Sequence, residues 1–278
     1  MVPNIWLPTE RAQAEIADTR QRIAEIEDQI ETEFLAALGL TKPQRVELPK
    51  VFAVSWKDFE RWSVSYNQRA VTSIDISRGR YPLRRLGECL VAMQYGTSEK
   101  ANQRGAGVPI LRINNIKGGA IDTSDLKHID LRAKAISSLL LSDGDILVIR
   151  TSGSGDLVGT CAVFHEQGEF VFASYLILMV VDRGIAHPDY VGYFLNCSLG
   201  RQQVEAMSRH IMQNNINSEE LRSIELPLPP LPVQCEIVAK MMAKREEIKS
   251  LKAEAERKAE QAKTDVNAMI LGDKRVTA

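Results

Sequence analysis

The sequence predicts an α+β fold: a mixed, mainly β body carried on two long helices that form an antiparallel coiled coil. Three observations predict it. Stretches near both ends of the 278-residue chain repeat apolar residues every seven positions, the segment between them breaks short β-branched runs with Gly, Asn and Asp, and the two helical stretches carry opposite charge excesses.

Residues 7–39 form the first helical pattern. Ile16, Ile23 and Ile30 are seven apart with Ile26 between them, Thr9 is a candidate N-cap and Gly39 a candidate stop. Residues 41–54, with Pro43 and Pro49, read as a linker. Trp56, Phe59, Trp62 and Tyr66 follow at helical spacing, and such an aromatic face predicts core rather than a base-stacking platform. Within 81–226 the strand-like runs are 108–114, 144–151, 157–164 and 170–181, with helices expected near 187–198 and 199–208.

Pro227, Pro229, Pro230 and Pro232 then exclude helix and central strand and predict a stiff joint. Beyond them lies an unbroken helical pattern of roughly 38 residues, about 60 Å long. Met241, Ile248, Ala255, Ala262 and Met269 keep the seven-residue spacing, with Ile237 and Leu251 between and Lys244, Lys258 and Asp265 interrupting. The two helical stretches also echo each other: Leu7-Pro8 with QAEIA from Gln13, and Leu231-Pro232 with QCEIVA from Gln234. Any two Ala/Glu-rich helices look alike, but residues 10–39 carry 8 acids and 3 bases while residues 240–263 carry 8 bases and 5 acids. Packing on each other satisfies both seams and both charge excesses.

Composition narrows the function classes. The longest apolar run, 170–181, is too short to span a bilayer, and nothing at the N-terminus reads as a targeting signal, so a cytoplasmic location without membrane contact is expected. Cys89, Cys161, Cys197 and Cys235 form no C-x-x-C pair, which predicts buried free thiols and no metal. There is no phosphate-cradling G-x-x-x-x-G-K-[ST], no Asn/Asp-Pro-Pro-aromatic tetrapeptide, and no ligand or triad spacing among His128, His165, His187 and His210. Pro188-Asp189 with Glu247 and Lys249 only faintly resembles a nuclease site. No catalytic residue and no cofactor are expected.

Nucleic-acid binding has more support. Residues 57–134 hold 14 bases against 8 acids, whereas 135–230 hold 5 against 11, a polarity that a globular fold does not need. Arg78, Arg80, Arg84, Arg85, Lys100, Arg104, Arg112 and Lys117 are candidates for phosphate contact. Base readout needs bidentate groups in loops, which makes Asn102, Gln103, Arg104, Asn114, Asn115, Arg150, Thr151, Ser152, Ser154, Gln213, Asn214 and Asn215 the candidates. Each Asn alone reads equally as a turn residue.

Several of these residues carry a resemblance. Asn215-Ile216-Asn217, Ser218 to Leu221, and I-x-L-P-L-P-P-L-P-x-Q from Ile224 to Gln234, running into Glu236-Ile237-Val238 and a long helix, resemble the end of a target recognition domain and the helical spacer after it in DNA specificity subunits of type I restriction–modification systems. Upstream, YPLRRLGE from Tyr81, VPILRINNIKGGAID from Val108, LSDGDILVIRTSGS from Leu141, VGT from Val158 and FASYLI from Phe172 follow in order. The family usually has Glu where this chain has Val233, so no acidic contact carries over there.

The resemblance implies a spacer helix over 1–40, a recognition domain with linker over 41–230 and a second spacer over 231–278. Full-length members carry two recognition domains; this sequence has one. Double-stranded DNA and methyltransferase subunits are the implied partners. The seams Ile16, Ile23, Ile30, Met241, Ile248 and Leu251 are the candidate protein-binding residues, and a homodimer is the simplest way to restore two half-site readers. The competing readings are a nuclease or DNA-modification enzyme with an unrecognised site, and a coiled-coil scaffold with a protein-binding head, which predicts no salt-dependent DNA affinity.

Overall fold

The structure, a computed structural model, describes residues 7–43, 50–56, 62, 64, 67, 75–102, 105–207, 209–210 and 214–271. Its helices are α1 (Leu7–Ala37), α2 (Ala133–Leu139), α3 (Pro188–Asn196), α4 (Ser198–Met207), α5 (Ser218–Arg222) and α6 (Leu231–Leu271). The chain forms two compact units, one from Met1–Phe34 with Ile237–Ala278 and the other from Leu35–Glu236.

In the first unit α1 and α6 run antiparallel. Ile23, Ile26 and Ile248 are buried together, with Ile30 and Leu251 packed against them. Charge complementarity reads directly as pairs along the seam: Lys244 with Glu33 at 3.2 Å, Lys252 with Glu27 at 3.8 Å, Arg22 with Glu247 at 3.0 Å and Lys258 with Glu15 at 3.2 Å. These pairs are solvated, so each contributes at most about 1 kcal/mol, and they set orientation more than stability. Thr19 is buried in the seam because its hydroxyl donates to the Glu15 carbonyl one turn back. Met241 is also buried.

Both long helices begin with Leu-Pro. Pro8 and Pro232 are second residues of their helices, where the missing N–H has no intrahelical acceptor to lose. The expectation that Pro232 excludes helix is therefore corrected, and Thr9 lies inside α1 rather than capping it. Gly39 does stop α1. At φ 72° it closes a Schellman turn, in which the Leu40 N–H donates to the Leu35 carbonyl and the Gly39 N–H to the Ala36 carbonyl.

The second unit centres on a four-stranded antiparallel sheet of order β2 (Leu90–Tyr95), β11 (Leu176–Val181), β7 (Ile146–Ile149), β9 (Cys161–Val163). β7 is buried at every position, and Leu147, Ile149, Phe164, Phe172 and Leu178 belong to one core. β3 (Val108–Leu111) pairs with β10 (Val171–Phe172) in parallel and β6 (Lys127–Ile129) antiparallel. β1 (Leu83–Arg85) pairs with β14 (Glu225–Pro227), and β4 (Ile116–Lys117) turns into β5 (Ala120–Ile121) through Gly118 and Gly119, both at positive φ as a tight hairpin requires.

Two predicted strands are broken. The run 170–181 splits at Ala173–Tyr175, where the chain leaves β3 and joins β2 and β7. Gly96 approaches so closely there that a Cβ would lie 2.3 Å from the Phe172 carbonyl oxygen. The run 144–151 splits at Arg150. Cys235 is exposed, against the expectation of a buried thiol, and Trp56 and Trp62 are exposed rather than core; Phe59 and Tyr66 lie outside the described residues.

Candidate nucleic-acid interface

The break at Arg150 builds a polar corner. The Arg150 N–H donates to the Tyr175 carbonyl and its own carbonyl accepts from the Ile216 N–H, each at 2.9 Å, so the chain turns out of β7 into β8 (Thr151–Ser152). β8 pairs with β13 (Asn214–Asn215), which pairs with β12 (Arg209–His210). The register sets Asn215 opposite Thr151 and Asn214 opposite Ser152. Five of the predicted readout residues, Arg150, Thr151 and Ser152 with Asn214 and Asn215, thus meet although the two groups are more than 60 positions apart in the chain.

The Arg150 guanidinium lies over the Tyr95 ring, 4.8 Å from its centroid. Tyr95 in turn donates its hydroxyl to Ser218 Oγ and accepts from the Ser218 N–H, both at 3.3 Å. Ser218 opens α5, whose entry is fixed by a capping box between Asn217 and Glu220. Arg150 Nε and Asn215 Oδ1 are shielded from solvent without a hydrogen-bond partner among the described residues. Tyr95 and Tyr175 are both exposed. These two tyrosines and Ser218 carry no motif in the sequence; only Tyr95, an aromatic at the end of edge strand β2, offers a local signal.

The remaining candidates divide. Ser154 is exposed, with its N–H on Ser152 Oγ. Asn114 and Lys117 are exposed on the β4–β5 side, where Lys117 pairs with Asp122 and, ahead of Ser124, holds that carboxyl well below the usual range. Asn115 is corrected: it is buried, accepts from the Arg112 N–H and donates to the Asp122 and Asp125 carbonyls, so its amide is committed to folding the loop. Arg112 is likewise spent on Asp125. Asn102 bridges to His128 through its backbone, and its amide donates to the Ala106 carbonyl, a loop-closing role. Arg78 and Arg84 are exposed and paired with Asp75 and Glu88; Arg80 and Lys100 are exposed, with the Arg80 N–H on the Leu38 carbonyl. Gln103, Arg104 and Gln213, and the side chain of Asn214, lie outside the described residues.

One titratable cluster was invisible in the sequence. His165 bridges Asp143 at 2.7 Å and Asp189 at 3.1 Å, and Arg183 also reaches Asp143. The hydrogen bond to Asp189, and after it that to Asp143, pushes the imidazole up to about 9 against its partial burial, while His165 holds the Asp143 carboxyl below its ordinary range. Asp189 is committed here rather than to a metal. Among the described residues no group of three or more His, Cys, Asp or Glu is placed to hold one.

A β-rich body presenting an Arg/Asn/Ser/Tyr corner, in a chain whose two ends are long paired helices, has the make-up of a recognition module on helical spacers. Residues 84–257, more than half the chain, match the type I restriction modification DNA specificity domain, and the chain belongs to that family. It is 25% identical over 220 residues to the EcoKI specificity subunit of Escherichia coli (strain K12), covering 74% of this chain and 45% of that protein. It is 28% identical over 158 residues to the StySPI specificity subunit of Salmonella potsdam, covering 56% of this chain and 34% of that one. The chain thus matches less than half the length of these relatives. Among solved structures it resembles a chain from the type I R-M system solved for its complex assembly and conformational transition, with TM-score 0.55 and 16% identity over 97% of this chain and 58% of the other. It also resembles the S subunit from M. genitalium, with TM-score 0.53 and 9% identity over 94% and 57%. These two likenesses concern the fold alone. No helix among the described residues is long and apolar enough to cross a membrane.

Proposed function

We propose that the chain is the sequence-specific DNA-recognition subunit of a type I restriction–modification complex, itself non-catalytic, directing methyltransferase and restriction subunits to a bipartite target. The observation that carries this reading is the convergence of Arg150, Thr151, Ser152 and Asn215 on one corner of a chain that belongs to the specificity-domain family. Arg and Asn are the side chains suited to bidentate contact with guanine and adenine edges. The exposed cations Arg78, Arg80, Arg84, Lys100 and Lys117 supply phosphate contacts; three of them sit in solvated ion pairs that a phosphate displaces at little cost.

The proposal assigns 41–230 to target recognition and the helical segments 1–40 and 231–278 to partners, with Ile16 and Met241 extending the seam of Ile23, Ile30, Ile248 and Leu251. Two copies reading an inverted repeat place two recognition domains on two half-sites, in the cytoplasm where the DNA lies. The test is retention of the full chain on duplex DNA as salt is raised. Affinity that falls linearly on a logarithmic salt scale supports the reading, and a chain that binds no duplex at low salt overturns it in favour of a protein-binding scaffold.

A further inference from the structure

The corner around Arg150 carries more than a general affinity for DNA. A free arginine side chain samples many rotamers and loses that freedom on binding, whereas one held in place presents its donors as a rigid fork. Arg150 is held at three points. Its backbone N–H and C=O are both bonded, to Tyr175 and Ile216, and its guanidinium carbon lies over the Tyr95 ring, 4.8 Å from the centroid. Tyr95 is itself fixed at both ends, by the pairing of β2 with β11 and by its hydroxyl on Ser218. With Nε shielded, the donors left for a ligand are the two terminal amino groups.

We infer that Arg150 reads the guanine of a G·C pair in the major groove and that Tyr95 is the positioning residue that aims it. The chemistry matches group by group. Guanine offers two acceptors, O6 and N7, one to each amino group, whereas an A·T pair sets an adenine donor beside N7 and repels one arm of the fork. This inference rests on the DNA-recognition reading above and names the base pair and the aiming residue that reading leaves open.

The experiment selects duplexes from a library with a randomised core on the full-length chain and on the variants Arg150→Lys, Tyr95→Leu and Tyr95→Phe. The readout is base preference among bound duplexes, to which only folded molecules contribute, so a variant that merely loses stability binds less DNA without changing its motif. The wild type is expected to select a motif with a guanine that Arg150→Lys and Tyr95→Leu lose, each by roughly ten- to a hundredfold at that one position. Tyr95→Phe, which keeps the ring face, is expected to hold the preference within about threefold. An unchanged motif in Arg150→Lys or Tyr95→Leu overturns the inference and leaves the DNA-recognition reading standing. A wild-type chain that enriches no sequence overturns both.

Discussion

The side chain of Gln234, in the first turn of α6, accepts a 2.8 Å hydrogen bond from the backbone N–H of His187, which caps α3. The same amide donates to the carbonyls of Ile185 and Pro229, at 3.2 and 2.7 Å, and Gln234 has no exposed surface. A glutamine that supplies one acceptor and two donors inside a proline-rich joint satisfies three backbone groups with one buried side chain. This is the physical content of the Gln that ends the proline string. Next to it, Tyr190 of α3 closes the joint from the other side through its hydroxyl on the Pro227 carbonyl.

Gln234→Leu keeps the volume and removes all three bonds. The expected loss is about 3 kcal/mol, from backbone groups left unpaired, and is read as a lower urea midpoint with unchanged slope. Gln234→Glu is expected to do no better, because a carboxylate cannot donate to the Ile185 and Pro229 carbonyls. A midpoint within experimental scatter of the wild type contradicts the role.

Replacing Ile248 and Leu251 by Asp sets charges against Ile23, Ile26 and Ile30. Each substitution is expected to cost on the order of 3 kcal/mol of pairing free energy, enough to separate α1 from α6 while 35–236 stays folded. Limited proteolysis reads the outcome directly: cleavage confined to the two long helices is expected, and a digestion pattern identical to wild type contradicts it. By contrast, Lys252→Ala, which removes one solvated ion pair at 3.8 Å, is expected to change stability by less than about 1 kcal/mol.

The helices are legible in the sequence because a seven-residue period survives in the residues themselves, and Ile23, Ile26, Ile30, Ile248 and Leu251 all fall on that period or between its steps. Gly39 was legible for the same local reason. What the sequence could not carry was tertiary. Asn114 and Asn115 are neighbours of identical type, yet one faces solvent and the other holds three backbone groups, and only the fold around Arg112, Asp122 and Asp125 separates them. The breaks at Ala173 and Arg150 occur where a strand changes sheets, and an apolar run looks the same on either side of such a change.

Asn115→Ala is accordingly expected to act on stability and not on readout. Losing its three hydrogen bonds should cost about 2 kcal/mol, while the salt dependence of DNA affinity stays as in the wild type. Lys117→Ala is expected to do the reverse, lowering the salt slope by about one without shifting the melting temperature appreciably. A specific change of one base position in the Asn115 variant contradicts the structural assignment.

His165 makes a prediction in pH. Its folded value, about 9, lies above the ordinary 6.5, so the unfolded chain releases the proton first as pH rises. The stabilisation from the Asp143–His165–Asp189 bridge is therefore fully present below about 6.5 and is lost as pH climbs through about 9. Asp143, held below its usual range, adds a contribution of the opposite sense, present above its ordinary 3.8 and lost on acidification below it. An imidazole resonance of His165 that still reports the protonated ring at neutral pH is the expected signature, and His165→Gln should flatten the alkaline limb of the stability profile. Titration of His165 near 6.5 contradicts the bridge.

The central claim is that this chain chooses the DNA sequence on which a partner methyltransferase acts. The most direct measurement combines the full chain with the proposed methyltransferase partner, supplies DNA and methyl donor, and maps the modified bases with and without the chain. Methylation confined to one two-part, inverted-repeat motif, and absent when the chain is omitted, is the predicted result. Methylation of the same sites without the chain contradicts the account.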